Sequence, residues 1–408
     1  MKSLLNKINN SKYKWLIYIC LIVVILGFLL YIAITIVDNR DYLNSDFFTF
    51  YLSGHMVWTG ENPYSVNDWV AGHQQFGVSW IPNKQYVYPL PLSFFYAPLG
   101  AIPYHEAYIL WVFLSEVMII TSALTLLYQN ADQNLKHYIF PIFVAIPLFR
   151  PTISVLFGGQ IGAFLLFILT IVVVLWNKEK WFYGGMLLTI IALKPNIGVP
   201  IVCYTLFWLL LRKKGYGILG ISLSGLLLLT LGFLRNVNWL SEYWEIGNAK
   251  IEHIFGYAPT IWGAFAYLTN YNWERALNWG GITVLIFILV TLVFILKNAS
   301  NIAPEWMFSI AIASSLLVTP SNWPYDQVIL ILPIINIVRR MISNKMPYLL
   351  TALAFLFIDI IALILLSMAY NIHREIPNVI IPLIIFFVIL FSKNKKIYFA
   401  QKNETSTG

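Results

Sequence analysis

Apolar stretches close to the length that crosses roughly 30 Å of hydrocarbon as a helix recur from one end of this chain to the other, and nothing else in it restricts the fold as much. In lipid every backbone amide and carbonyl must be bonded internally, so segments of this kind are read as helices. The rest of the chain leaves no room for a separate soluble body: 59% of its 408 residues are hydrophobic and 11% are charged, against roughly 25% charged in soluble domains. The expectation is an all-α integral membrane protein, a polytopic bundle forming one domain over residues 1–408. No internal period and no Gly/Ser-rich or Pro-rich linker divides it.

Apolar length and loop charge together predict about twelve transmembrane helices. They fall near 15–37, 105–128, 138–149, 159–176, 181–193, 197–211, 216–234, 280–296, 305–318, 328–338, 347–370 and 377–391. Two long segments between them, 38–104 and 235–279, hold most of the remaining polar residues. Most Lys and Arg sit in the short loops of the opposite side, as at Arg212–Lys214 and Arg339–Arg340, and in the two tails. By the positive-inside rule both termini are cytoplasmic and the long segments are outer loops. The basic N-terminal flank and the apolar run after it mimic a signal peptide, but the run is too long and lacks a small-residue cleavage site, so it is read as an uncleaved first span. The formal charge of +8 sets topology and does not mark a nucleic-acid face. Cys20 and Cys203 lie inside apolar segments and are expected to be packing residues, and the six scattered histidines offer no metal site.

The stretch SDFFTFYLSGHMVWTGENPY, from Ser45 to Tyr64, carries a carboxylate, Asp46, into an aromatic run. Position alone suits a helix-start aspartate, favoured there by the helix dipole; Asp38 and Asp41 are its near rivals. Phe47, Phe50, Tyr51, Gly54 and Trp58 recur at helical spacing, which predicts a helix lying along the outer membrane surface. Tyr88 then opens YPLPLSFFYAPL, whose spaced prolines predict a broken, re-entrant or interfacial passage. Arg150 and Lys194 fall at outer span ends, as snorkelling cations or as ligands for an anion. Gln160 follows two glycines, where its amide serves either an interhelical hydrogen bond or a ligand, and Tyr325 and Asp326 stand where a broken helix needs a cap. Glu116 and Asp359 are costly inside spans and are functional suspects for that reason. Arg235, Lys250 and Arg275 are further cations of the second long loop. The loop tryptophans Trp58, Trp69, Trp80, Trp239, Trp244 and Trp273 suit interface anchoring, with sugar stacking as the other use.

The order SDFFTFY, TGENPY, YPLPLSFFYAPL, FGGQIGAFLL, GGMLLTIIALKPNIGVP and TPSNWPYDQ resembles glycosyltransferase family 87, bacterial polytopic enzymes of the GT-C fold that use polyprenyl-phosphate-linked sugars. The resemblance implies a plasma-membrane enzyme with its active site on the outer face. It would move a hexosyl residue, with mannosyl among the candidates, from a lipid-linked donor to an envelope glycan, glycolipid or protein acceptor. Beyond that donor no cofactor is implied; the partners are the donor, the acceptor and membrane lipids, with no nucleic acid. Asp46 is the carboxylate matching the family's general base. Lys194 and Arg150 are the implied ligands of the donor phosphate, and Gln160, Tyr325, Asp326, Tyr51 and Tyr88 are expected to contact sugar or acceptor. One carboxylate suffices in such an inverting transfer, because the phosphate leaves as an already stable anion and needs no general acid. The chain departs from the family where many members carry a His shortly after the Trp of the last motif, since Tyr325 and Asp326 follow here. A transporter or flippase for lipid-linked sugars is the alternative, supported by the Gly/Pro-interrupted segments near 157–162 and 193–200. It ranks second for want of an internal repeat and because polar residues gather at the outer face.

Overall fold

The structure is a computed structural model and describes residues 14–39, 41–78, 81, 85–128, 139–343 and 348–392. Trp80 and the side chain of Lys250 lie outside the described residues. Those described contain helices and connections and no strand.

Helix α1 (Lys14–Asp38) stands at the edge of the bundle; Leu29, Ala33 and Val37, a stripe of period four, are buried in the protein, and Ile36 packs beside them. The first long loop then folds into three helices: α2 (Asp46–Thr59), α3 (Val66–Gln75) and α4 (Leu90–Gly100). Ser65 caps α3 by accepting from the Asp68 amide, and Gly60 ends α2 in the left-handed region at φ 94°. Helices α2 and α4 cross almost backbone to backbone: a Cβ at Gly54 would meet the Tyr96 carbonyl, and one at Gly100 would meet the backbone of His55.

Two expectations change here. The aromatic face of α2 does not lie open along a surface, because Phe47, Phe50 and Tyr51 are buried against α4 and neighbouring rings while Trp58 stays 65% exposed. Burying each such ring rather than leaving it in water is worth about 1.5–3 kcal/mol. The prolines of the 88–99 stretch do not break it: Pro89 precedes α4, Pro91 sits in its first turn where no amide bond is lost, and Pro98 falls in the last turn.

Helix α5 (Tyr104–Tyr128) is followed by α6 (Ile139–Leu148), α7 (Arg150–Gly158) and α8 (Gly162–Asn177). The expected span at 138–149 thus ends at Leu148, and a separate helix begins at Arg150 with Pro151 in its first turn. Next come α9 (Trp181–Ile190), α10 (Pro195–Leu211), α11 (Gly215–Arg235), α12 (Trp239–Phe255), α13 (Ile261–Leu268) and α14 (Trp273–Asn298). Helix α15 (Pro304–Val318) is buried at every residue and forms the central post. A 3₁₀ turn, Pro324–Leu330, leads from it into α16 (Ile331–Ser343), followed by α17 (Tyr348–Ile372) and α18 (Ile380–Phe391).

Helices stand near all twelve expected spans, but among the described residues four are long and apolar enough to cross a bilayer, namely α1, α5, α11 and α14, or five if the bent pair α7–α8 counts as one. The shorter apolar helices run 10–17 residues. Cys20 and Cys203 are free and exposed on helix surfaces, so neither packs the interior as expected.

Candidate active site

Three breaks in helices bring the polar residues together. The first is at Lys194. Pro195 cannot continue the preceding helix, so the chain passes through a 3₁₀ turn, Ile191–Leu193, and restarts at α10, leaving Lys194 between them. Its side chain is buried, and its Nζ donates to Asp326 Oδ1 and, at 3.2 Å, to Gln160 Oε1. The Tyr325 ring lies 4.8 Å from the same ammonium, a cation–π contact.

The second break is Phe157–Gly162, where α7 and α8 meet at 117°. Gly159 takes φ 61°, and a Cβ there would run into Phe47 and the Tyr108 ring, so only glycine fits. Carbonyls freed by the break are recovered from α5: Tyr108 donates its hydroxyl to the Phe157 carbonyl at 2.7 Å, and Trp111 Nε1 donates to the Gly159 carbonyl at 2.8 Å. The buried Gln160 is thereby aimed at Lys194, and its amide also lies against the Tyr88 hydroxyl.

The third is the 3₁₀ turn after Trp323. Asp326 is fully buried; its Oδ2 accepts from the Trp323 amide at 2.9 Å, closing the turn, while Oδ1 takes Lys194. Asp326 therefore both caps and pairs. Burial pushes its carboxyl up from the ordinary range, with the Lys194 ammonium acting against that rise.

Asp46 comes to this cluster from α2. Its neighbours anchor it: Ser45 Oγ and the Tyr104 hydroxyl are 2.9 Å apart, and the Phe47 ring stacks on Tyr108 with centroids 4.9 Å apart. Asp46 itself is exposed, and among the described residues no donor is bonded to its carboxylate. It meets Gln160 at Gly158, where a Cβ would lie 3.5 Å from Asp46 Oδ2 and 3.4 Å from Gln160 Cγ. The Tyr88 and Tyr325 hydroxyls feel the charges of Asp46 and Asp326; burial first, and these charges second, hold both well above the usual tyrosine range. Both stay neutral and able to donate.

Six of the eight expected residues thus converge: Asp46, Tyr88, Gln160, Lys194, Tyr325 and Asp326. Arg150 is engaged elsewhere, with Nη2 donating to Glu375 Oε1 at 2.8 Å. Tyr51 is a packing residue whose hydroxyl donates to the Ile102 carbonyl at 2.9 Å. Of the rival carboxylates, Asp38 takes His105 and Asp41 takes Asn44. Arg235 donates to the Glu61 carbonyl, and Arg275 is exposed. Glu116 and Asp359 are buried, each with one carboxylate oxygen unpartnered among the described residues. Trp69 and Trp239 are core residues, whereas Trp58, Trp244 and Trp273 are exposed. Sequence reasoning passed over Tyr104, Tyr108 and Trp111, whose spacing of four and three residues marks one face of α5.

A lysine, two carboxylates, an amide and two neutral phenols thus gather around helix breaks and a helix start, a set able to meet both hydroxyl and anionic groups. Comparison with known families makes it particular. The profile of Glycosyltransferase family 87 matches residues 86–320, more than half of the chain, and the chain belongs to that family of membrane glycosyltransferases. The match takes in Tyr88, Arg150, Gln160 and Lys194 and does not extend to Asp46, Tyr325 or Asp326. No curated protein and no solved structure matches the chain.

Proposed function

We propose that this chain transfers a hexosyl residue from a polyprenyl-phosphate-linked donor to a hydroxyl of an envelope glycan, glycolipid or protein, at the outer face of a bacterial plasma membrane. Both termini are then cytoplasmic, and mannose is the first sugar to try. The observation that carries the reading is the contrast at the site: an exposed carboxylate, Asp46, free of bonded donors among the described residues, set against the buried Lys194–Asp326–Gln160 cluster.

In this reading Asp46 accepts the proton of the acceptor hydroxyl as that oxygen bonds to the anomeric carbon. The bond from that carbon to the phosphate oxygen breaks, and polyprenyl phosphate departs with the electron pair. Lys194 meets the growing negative charge, and Gln160, Tyr88 and Tyr325 hold sugar or phosphate oxygens as donors. The test is transfer of radiolabelled hexose from synthetic polyprenyl-phosphate donors by purified protein. Asp46→Asn keeps shape and polarity but takes no proton, and is expected to lower turnover by about 10²- to 10⁴-fold with folding unchanged. Equal transfer by the two proteins would remove Asp46 as base.

A further inference from the structure

The cluster at Lys194 rests on the short 3₁₀ turn that carries Asp326, and that turn is tied from behind. Gln327, the residue after Asp326, is fully buried. Its Nε2 donates to the backbone carbonyl of Asn378 at 3.1 Å, while its Oε1 is unpartnered among the described residues, so its hold is through donation alone. Asn378, also buried, donates its Nδ2 to Glu375 Oε2 at 2.7 Å. The other oxygen of Glu375, Oε1, receives Arg150 Nη2 at 2.8 Å. Arg150 opens α7, which packs along the 3₁₀ turn. Three stretches far apart in the chain, at 150, 327 and 375–378, thus close a continuous run of hydrogen bonds that ends one residue from the Lys194–Asp326 pair.

We propose that Arg150, Glu375, Asn378 and Gln327 are positioning residues, a brace, buried at Gln327 and Asn378, that holds the Pro324–Leu330 turn in the one register that sets Asp326 on Lys194. Arg150, expected from the sequence as a phosphate ligand, acts here at one remove, by fixing Glu375. A 3₁₀ turn is short and weakly bonded internally, so a carboxylate on it is poorly placed unless something outside the turn fixes it. Gln327 supplies that fixed point beside Asp326, and the Arg150–Glu375 ion pair, largely shielded at the arginine, stiffens its far end. The link from brace to turnover rests on the transferase reading; the link from brace to the ion pair does not.

The experiment uses the purified full-length protein with two readouts, sugar transfer and the rate at which an amine-acylating reagent modifies Lys194, followed by peptide mass spectrometry. Gln327→Met keeps volume and removes the donor. The brace predicts turnover lower by about 10- to 100-fold, since small displacements at a reacting site cost that much, with the donor KM nearly unchanged and Lys194 acylation severalfold faster. Gln327→Glu donates only when protonated, so its activity relative to wild type is expected to climb as pH falls. Wild-type turnover and acylation in Gln327→Met would overturn the proposal and leave Gln327 a space-filling residue. Lost turnover with slow acylation and a lowered Tm would overturn it too, as general destabilisation. Faster acylation in a protein whose wild type transfers no sugar would uphold the brace and count against the transferase reading.

Discussion

Lys194 is the residue on which the site turns, because its ammonium is held in place by Asp326 before any ligand arrives. A buried ammonium is tolerable only beside an anion, and Asp326 is that anion. Lys194→Met strands a buried carboxylate and is expected to cost about 3–5 kcal/mol, read as a fall in Tm. The double variant Lys194→Met/Asp326→Leu should recover most of that stability and none of the transfer, which separates folding from chemistry. The identities of these residues were legible in the sequence, since KP, GGQ and WPYD each mark a helix break with a polar residue in it. Their pairing was not: Lys194 and Asp326 stand 132 residues apart, Arg150 and Glu375 225 apart, and residue type alone carries no contact over such separations. Arg150 therefore read as a second phosphate ligand when its partner was already within the chain.

At the scale of the element, the breaks matter more than the helices. Gly159→Ala places a Cβ in the left-handed region, at about 1–2 kcal/mol, and drives it into Phe47 and Tyr108, the residues that seat Asp46. Its expected result is transfer lost out of proportion to the drop in Tm, with Ala at Gly215, where a Cβ meets nothing within 4 Å, as the control. Helix α3 offers a pH prediction. His73 is buried, its ring Nδ1 donates to the Trp69 carbonyl at 2.8 Å, and burial lowers its pKa below the ordinary value of about 6.5. The unfolded chain then binds a proton that the folded chain refuses, so stability is full above that ordinary value and is lost as pH falls below it. Tm should decline on acidification from about pH 7 to 5, and less steeply in His73→Phe. Helix type and place were readable from apolar length, but proline positions misled: those of α4 looked like breaks because position within a turn, not proline itself, decides whether a bond is lost.

For the whole molecule, the outer-face placement proposed for the site makes orientation measurable. In a background free of Cys20 and Cys203, a cysteine at Glu61, in the same long loop as Asp46, should react with a membrane-impermeant maleimide on intact cells, and one at Lys213 only after the membrane is opened. The reverse pattern would place the site inside. An all-helical membrane chain was legible because composition and segment length leave no alternative. The way short helices combine into crossings was not, because α9, α10 and α15 lack the length that makes a span self-evident. Helix α1 shows a different limit of reading a chain by itself. From Trp15 to Phe28 every residue is exposed, and burial begins at Leu29. In a membrane, acyl chains cover most of that exposed half, so the bilayer completes much of the packing there. A detergent that strips those chains away removes part of the fold's own packing, and the choice of solubilising lipid becomes a structural variable of this protein.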